Sequence, residues 1–222
     1  MSESTTSSFD FNAFISESKE TLLNPKSYFS KMKLTGGMTE PLIKAVIYGA
    51  IAGVIVFLWS ILGLGAAGAG FLGGAIGAMA LVWYIVAAII GLFVGAVILL
   101  IISSICKGNS DFEANVRVTA ATMVVMPVSA LLGFTTGINI YLGMIVSLAV
   151  SIYAIWMLYH GLVEALKAKP ESAKIVMYVL IGLIVLFTLA GLSTRNRVNK
   201  LMKGYDTEEL RDVMKDLEED NN

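Results

Sequence analysis

The stretch PLIKAVIYGAIAGVIVFLWSILGLGAAGAGFLGGAIGAMALVWYIVAAIIGLFVGAVILLIISSIC, Pro41 to Cys106, holds one charged side chain, Lys44. A hydrocarbon core about 30 Å thick is crossed by roughly 20 apolar residues in a helix, so this stretch can cross more than once. Beyond Arg117 the sequence does nearly the same again. A chain of 222 residues that is 56% hydrophobic, with a mean hydropathy of +0.76, would expose large apolar patches in water and aggregate. Lipid is therefore its solvent, and there only helices or a closed barrel satisfy every backbone polar group. Period-two alternation is absent, which leaves an all-α polytopic membrane protein.

Charges and turn residues place five spans, at about 42–64, 75–105, 118–132, 140–160 and 175–192. Pro41 suits the first turn of a helix, where a missing N–H costs nothing. The Gly and Ala run from Gly65 to Gly77 reads as a tight turn or a site of close backbone approach. Lys107-Gly108-Asn109-Ser110-Asp111 ends the second span, and Pro127 is expected to kink the third. Gly133 to Asn139 reads as a charge-free turn.

Lys19, Lys26, Lys31 and Lys33 precede span one, Lys107 and Arg117 follow span two, and Lys167, Lys169 and Lys174 follow span four. The intervening loops carry no Lys or Arg, so the positive-inside rule puts the amino terminus in the cytoplasm. Five spans then put the tail outside, although Arg195, Arg197, Lys200 and Lys203 follow the last one directly. A further crossing hidden between Leu42 and Ile105 is the alternative count.

The ends divide from the membrane domain, 41–194. Met1 to Ser8 is Ser and Thr-rich, reads as disordered, and lacks the pattern of a secretory signal. In the segment 9–40, Phe11, Phe14, Ile15 and Leu22 recur at helical spacing. That pattern fits a helix in the headgroup region or one packed on the cytoplasmic loops. The charged tail, 195–222, carries a capping-box spacing at Asp206 and Glu209 and an apolar stripe of Leu210, Val213, Met214 and Leu217. It reads as an acidic helix that binds a partner, or as a solvated tail.

Chemistry is sparser. One His and one Cys exclude a multi-Cys or multi-His metal site within a subunit, and no cofactor is expected. Cys106 reads as a buried, unreactive thiol. His160 and Glu164, four apart, would share a helix face. Glu40, Lys107, Asn115, Arg117, Pro127, Asn139, His160 and Glu164 are the candidate functional polar and kink positions, with Arg117 expected to snorkel toward headgroups. Gly49 with Gly53 and Gly91 with Gly95 are candidate helix-packing pairs, as are Gly70 with Gly74, Gly73 with Gly77, and Gly133 with Gly137. Such faces favour tight bundling and a homo-oligomer. A phosphate-binding loop is not found, and a net charge of −1 gives no support to nucleic acid binding.

The runs Asn24-Pro25-Lys26-Ser27-Tyr28-Phe29 and Thr35-Gly36-Gly37-Met38-Thr39-Glu40-Pro41-Leu42 resemble the prokaryotic branch of the Yip (Ypt/Rab-interacting) membrane domain. The loop Lys107 to Phe112, leading through Val116-Arg117-Val118 to Pro127, and the segment Trp156 to Glu164 carry the same resemblance, which covers about Asn24 to Leu192. It implies a five-span fold, a prokaryotic inner or plasma membrane, and in eukaryotic relatives an adaptor of Rab GTPases in vesicle traffic. The eukaryotic Asp-Leu-Tyr-Gly-Pro motif has its nearest counterpart at Glu40-Pro41, and the tail here is longer. The leading expectation is a non-enzymatic scaffold or adaptor that uses the amino-terminal segment or the tail for protein partners. The alternative is a channel or transporter for a small solute, lined by Thr135, Thr136, Asn139, His160 and Glu164. A membrane enzyme relying on His160 is a third.

Overall fold

A computed structural model describes residues 10–64 and 71–191. Among them the fold is all helical. An amino-terminal arm of α1 (Phe11–Leu23) and α2 (Pro25–Lys31) is followed by α3 (Thr39–Ile61), α4 (Phe71–Ile105), α5 (Phe112–Thr122), α6 (Val125–Leu132), α7 (Thr135–Ile138) and α8 (Ile140–His160). A π-helical turn, Gly161–Ala165, leads to α9 (Pro170–Gly191). Among the described residues, five segments are long and apolar enough to cross a membrane: Thr39–Ile61, Leu81–Ile105, Phe112–Ile138, Ile140–Ala165 and Pro170–Gly191. The protein is a multi-pass, all-α membrane protein.

Local sequence sets the boundaries. The Asp10 carboxylate accepts from Asn12 N and Ala13 N and starts α1. Asn24 closes α1 and opens α2, its side chain accepting from Ser27 N, with Pro25 as the first helical residue. Asp111 caps α5 by accepting from Ala114 N. Each supplies an acceptor to amides that a helix start leaves bare.

Two sequence expectations are corrected. Residues 71–77 belong to α4 rather than to a turn, because Ala, Phe and Leu between the glycines keep the helix going in a medium that penalises open backbone; residues 65–70 lie outside the described set. The third span does not end near Leu132, since Thr135–Ile138 is again helical and the chain reverses at Asn139, in extended conformation with φ −153°. The helical ladder of the third span breaks in the turn before Pro127: α5 stops at Thr122, and Val124 N and Met126 N bond three residues back, to Ala121 O and Met123 O. Proline has no N–H for the carbonyl four residues earlier and its ring crowds it, so Met123 lies where the ladder breaks. The expectations for Met1–Ser8, for the acidic tail helix and for the basic cluster after span five fall outside the described residues.

Packing runs through small residues. A Cβ on Gly49 would lie 2.7 Å from Ala88 Cβ and 2.9 Å from Tyr84 O, and one on Gly53 would lie 2.9 Å from Leu81 Cα. α3 and α4 therefore touch backbone to backbone, as expected where packing rather than the hydrophobic effect joins helices. A Cβ on Gly95 would lie 3.0 Å from Thr119 Cγ2 on α5. Gly91 breaks the expected pair: it is exposed, and a Cβ there would meet nothing within 4 Å. One core cluster joins Ala45, Leu92, Ala96, Val116 and Ala120 across α3, α4 and α5. Another gathers Phe29, Leu99, Val118, Leu162 and Ala173 from α2, α4, α5, the π turn and α9. Outside these seams Val82, Val86, Ile90, Val94, Val97 and Ile101 of α4 stay exposed, the surface a lipid solvent calls for. Contacts divide the chain at Ile181; the described part of the second unit, residues 182–191, completes α9, where the Thr188 hydroxyl donates to Ile184 O.

Candidate functional site at the charged end

Two glycines shape the loop before α3. Gly36 (φ +134°) and Gly37 (φ +88°) adopt conformations that side chains disfavour. A Cβ on Gly36 would lie 2.8 Å from an Arg117 guanidinium nitrogen. The loop thus forms a cradle for Arg117, and every guanidinium nitrogen is used: Nε donates to Glu113 Oε1 at 3.2 Å, Nη1 to Glu40 Oε2 at 3.0 Å and Nη2 to Gly37 O at 3.1 Å. Gly37 N donates in turn to Glu113 Oε1 at 2.6 Å.

Glu40 carries the network onward. Its other oxygen, Oε1, lies 2.8 Å from Lys44 Nζ, which also reaches Glu17 Oε2 on α1 at 2.7 Å. The side chains of both cations are nearly buried, Lys44 at 7% exposure and Arg117 at 5%, while the three carboxylates are partly solvated. Arg117 therefore does not snorkel. Carboxylates on α3 and α5 and the Gly37 carbonyl hold it inward, because a guanidinium at a span start is stabilised more by three fixed acceptors than by a single long reach to headgroups. Tyr28 of α2 packs close by, and burial raises its phenol pKa against the opposing pull of Lys44. The arm is fastened further by the 2.7 Å bond between Ser18 Oγ and the Tyr48 hydroxyl and by Tyr153, whose hydroxyl donates to Leu22 O.

Asn115 sits fully buried behind this network, its Nδ2 donating to Asn109 O at 3.1 Å and Asp111 O at 2.7 Å, with Oδ1 unpartnered. Lys107 is exposed in left-handed conformation (φ 59°) just after α4, and Lys167 (φ 56°) repeats this after the π turn. The two loops are joined reciprocally: Asn109 N donates to Leu166 O at 2.7 Å, and Lys169 N to Cys106 O at 2.9 Å. Cys106 is buried there, and burial pushes its thiol pKa up, as a packing residue requires.

His160 and Glu164 lie at this same end but make no bond with each other among the described residues. The π turn that starts at Gly161 widens the helix, so a spacing of four no longer stacks the two side chains. Gly161 explains the turn: a Cβ there would meet Val118 Cγ1 at 2.7 Å, with the Phe29 ring next to it. The His160 ring instead packs edge-on against Trp156 at 4.8 Å and near Tyr159 at 5.4 Å.

The remaining candidates are elsewhere. Pro127 is in α6, and Asn139 is a helix cap rather than a lining residue, its Oδ1 accepting from Tyr141 N and Leu142 N. Thr135 and Thr136 line a cavity at the opposite end. The expected solute-lining set is thus split between two ends. Of the candidates, the structure joins Glu40 directly with Arg117 and places Asn115 on the same helix as Arg117. Sequence reasoning missed Lys44, Glu17, Glu113 and Gly37 as their partners. The available signals were the lone charge in a span and the pairs Glu40 with Lys44 and Glu113 with Arg117, each four apart on one helix.

The Yip1 domain family profile matches residues 19–192. No curated protein and no solved structure matches the chain.

Proposed function

The chain belongs to the Yip1 domain family, and on that premise we propose that it is a non-enzymatic membrane scaffold whose amino-terminal arm is its binding element. The Yip1 family is not an enzyme family. One observation carries the reading: α1 is clamped to the spans through Glu17 and Ser18, while Phe11, Ile15 and Leu23 remain exposed at 58%, 51% and 74%. A helix held in a fixed pose with an apolar rim has surface left over for headgroups or a protein partner.

In this reading the arm, segment 9–40, faces the cytoplasm of a prokaryotic inner or plasma membrane, because Lys19, Lys26, Lys31, Lys33, Lys107, Lys167 and Lys169 fall on its side of the spans. The membrane domain, 41–194, holds the arm in position, and the tail, 195–222, offers a second binding segment. Cross-linking in cells, followed by purification in mild detergent and mass spectrometry, tests the proposal. A stoichiometric partner lost on deleting residues 11–31 supports it, and a homo-oligomer with nothing attached in any preparation sinks it. Solute transport is the second reading, resting on the cavity beside Thr135 and Thr136, and flux in liposomes tests it.

A further inference from the structure

The end of the spans away from Arg117 holds a cavity of about 400 Å³ walled by Val56 and Trp59 of α3, Tyr84 of α4, Ser129 of α6, Thr136 of α7 and Ser147 of α8, with no charged side chain among the described residues of its lining. Hydroxyls within a bilayer ordinarily bond back to a carbonyl one turn earlier, since no water is at hand. The chain follows this rule at Ser104, Thr119, Ser151 and Thr188, which donate to Leu100 O, Asn115 O, Ser147 O and Ile184 O. Ser129, Thr136 and Ser147 break it. Among the described residues none of these hydroxyls has a hydrogen-bond partner, and all three line the cavity.

The cavity opens on the side of the helices, where Ser129 and Ser147 are exposed. Trp59 lies within a turn of the span end Ile61, at the depth where amphipathic rings sit between headgroups and hydrocarbon. A volume of about 400 Å³ lies in the range of small-molecule sites, roughly 300–1,000 Å³. It is too small for a partner span, because one turn of helix about 10 Å across and about 5.4 Å tall fills roughly that volume alone.

We propose that this cavity binds an uncharged amphiphile of the monoacylglycerol type, its hydroxyl and ester oxygens pairing with Ser129, Thr136 and Ser147 and its chain leaving through the side opening into the bilayer. The unpaired hydroxyls require a ligand with donors and acceptors, the uncharged lining disfavours an ionic head, and the lateral opening suits a molecule that arrives from lipid.

The test uses the full chain in phosphatidylcholine nanodiscs with a diazirine-bearing monoacylglycerol, beside probes of the same chain length with a carboxylate or phosphocholine head. The expected result is an adduct within residues 126–150, competed by unlabelled monoacylglycerol and weaker with either charged head. Replacing Ser129→Ala, Thr136→Val and Ser147→Ala together should lower labelling roughly tenfold, the effect of losing a few hydrogen bonds. Ser147→Phe should block it, and the control Thr119→Val should leave it unchanged. Even labelling of all spans, or equal labelling by the three probes, overturns the proposal. So does labelling unchanged in Ser147→Phe, which decides the matter if the triple variant fails to fold. Efficient disulfide dimerisation of Ser147→Cys in a Cys106→Ser background would assign the surface to a second copy instead. None of these readouts involves α1 or α2, so the result stands apart from the scaffold proposal.

Discussion

At the charged end, buried Lys44 and Arg117 have protein partners for the charges they carry into the spans; at the opposite end, three hydroxyls that could bond to their own helix do not. Both regions are polar groups set in a membrane helix bundle, and the difference lies in closure. Glu17, Glu40, Glu113 and Gly37 come from three helices and a loop to complete one network. Ser129, Thr136 and Ser147 come from three helices and leave a space. The first arrangement holds the fold together, and the second leaves capacity for something else.

Variants can break that contrast. Arg117→Ala should have the largest effect, about 3–5 kcal/mol, because it strands carboxylates around an empty cradle; unfolding in detergent measures it, and a loss below about 1 kcal/mol would mean the side chain behaves as a solvated surface charge. Gly53→Leu should follow at about 1–3 kcal/mol or more, since its side chain must displace the backbone of α4. A double-mutant cycle on Glu17→Gln and Lys44→Met should give a coupling of about 0.5–3 kcal/mol. Hydrogen exchange in α1 should rise in both single variants, and an unchanged exchange rate would show that the arm is held by its apolar contacts alone. Asn139→Ala should cost about 1 kcal/mol through the lost cap of α8. The smallest effect belongs to Gly91→Ala, expected to be neutral or slightly stabilising, because its side is open and Ala is the better helix former; a loss near that of Gly53→Leu would imply that a second copy packs there.

The spans were legible because hydropathy and charge act at the scale of a whole helix. The far boundary of the third was not, since a run such as Gly133-Phe134-Thr135-Thr136-Gly137 carries turn chemistry that water would exploit and lipid suppresses. Within the site, Arg117 and Glu40 were each visible as charges near span ends, but their pairing was not: they lie 77 residues apart in sequence, and Glu17 lies 27 from Lys44. Its own helix offers Arg117 one carboxylate, Glu113, and the loop and α3 supply the other acceptors, which sequence spacing does not show. The separation of Asn139 from Thr136 was equally hidden, since a polar residue between apolar runs reads alike as a cap or as a lining.

The reciprocal bonds between the loops after α4 and after the π turn bear on how this molecule can move. Two backbone hydrogen bonds tie Cys106 to Lys169 and Asn109 to Leu166, and two lysines hold left-handed turns there at positions where glycine is the usual choice. α4 and α8 are thereby riveted at one end, like the legs of a pair of tweezers. Any change in spacing between them is therefore hinged at the charged end, where the two loops are bonded to each other.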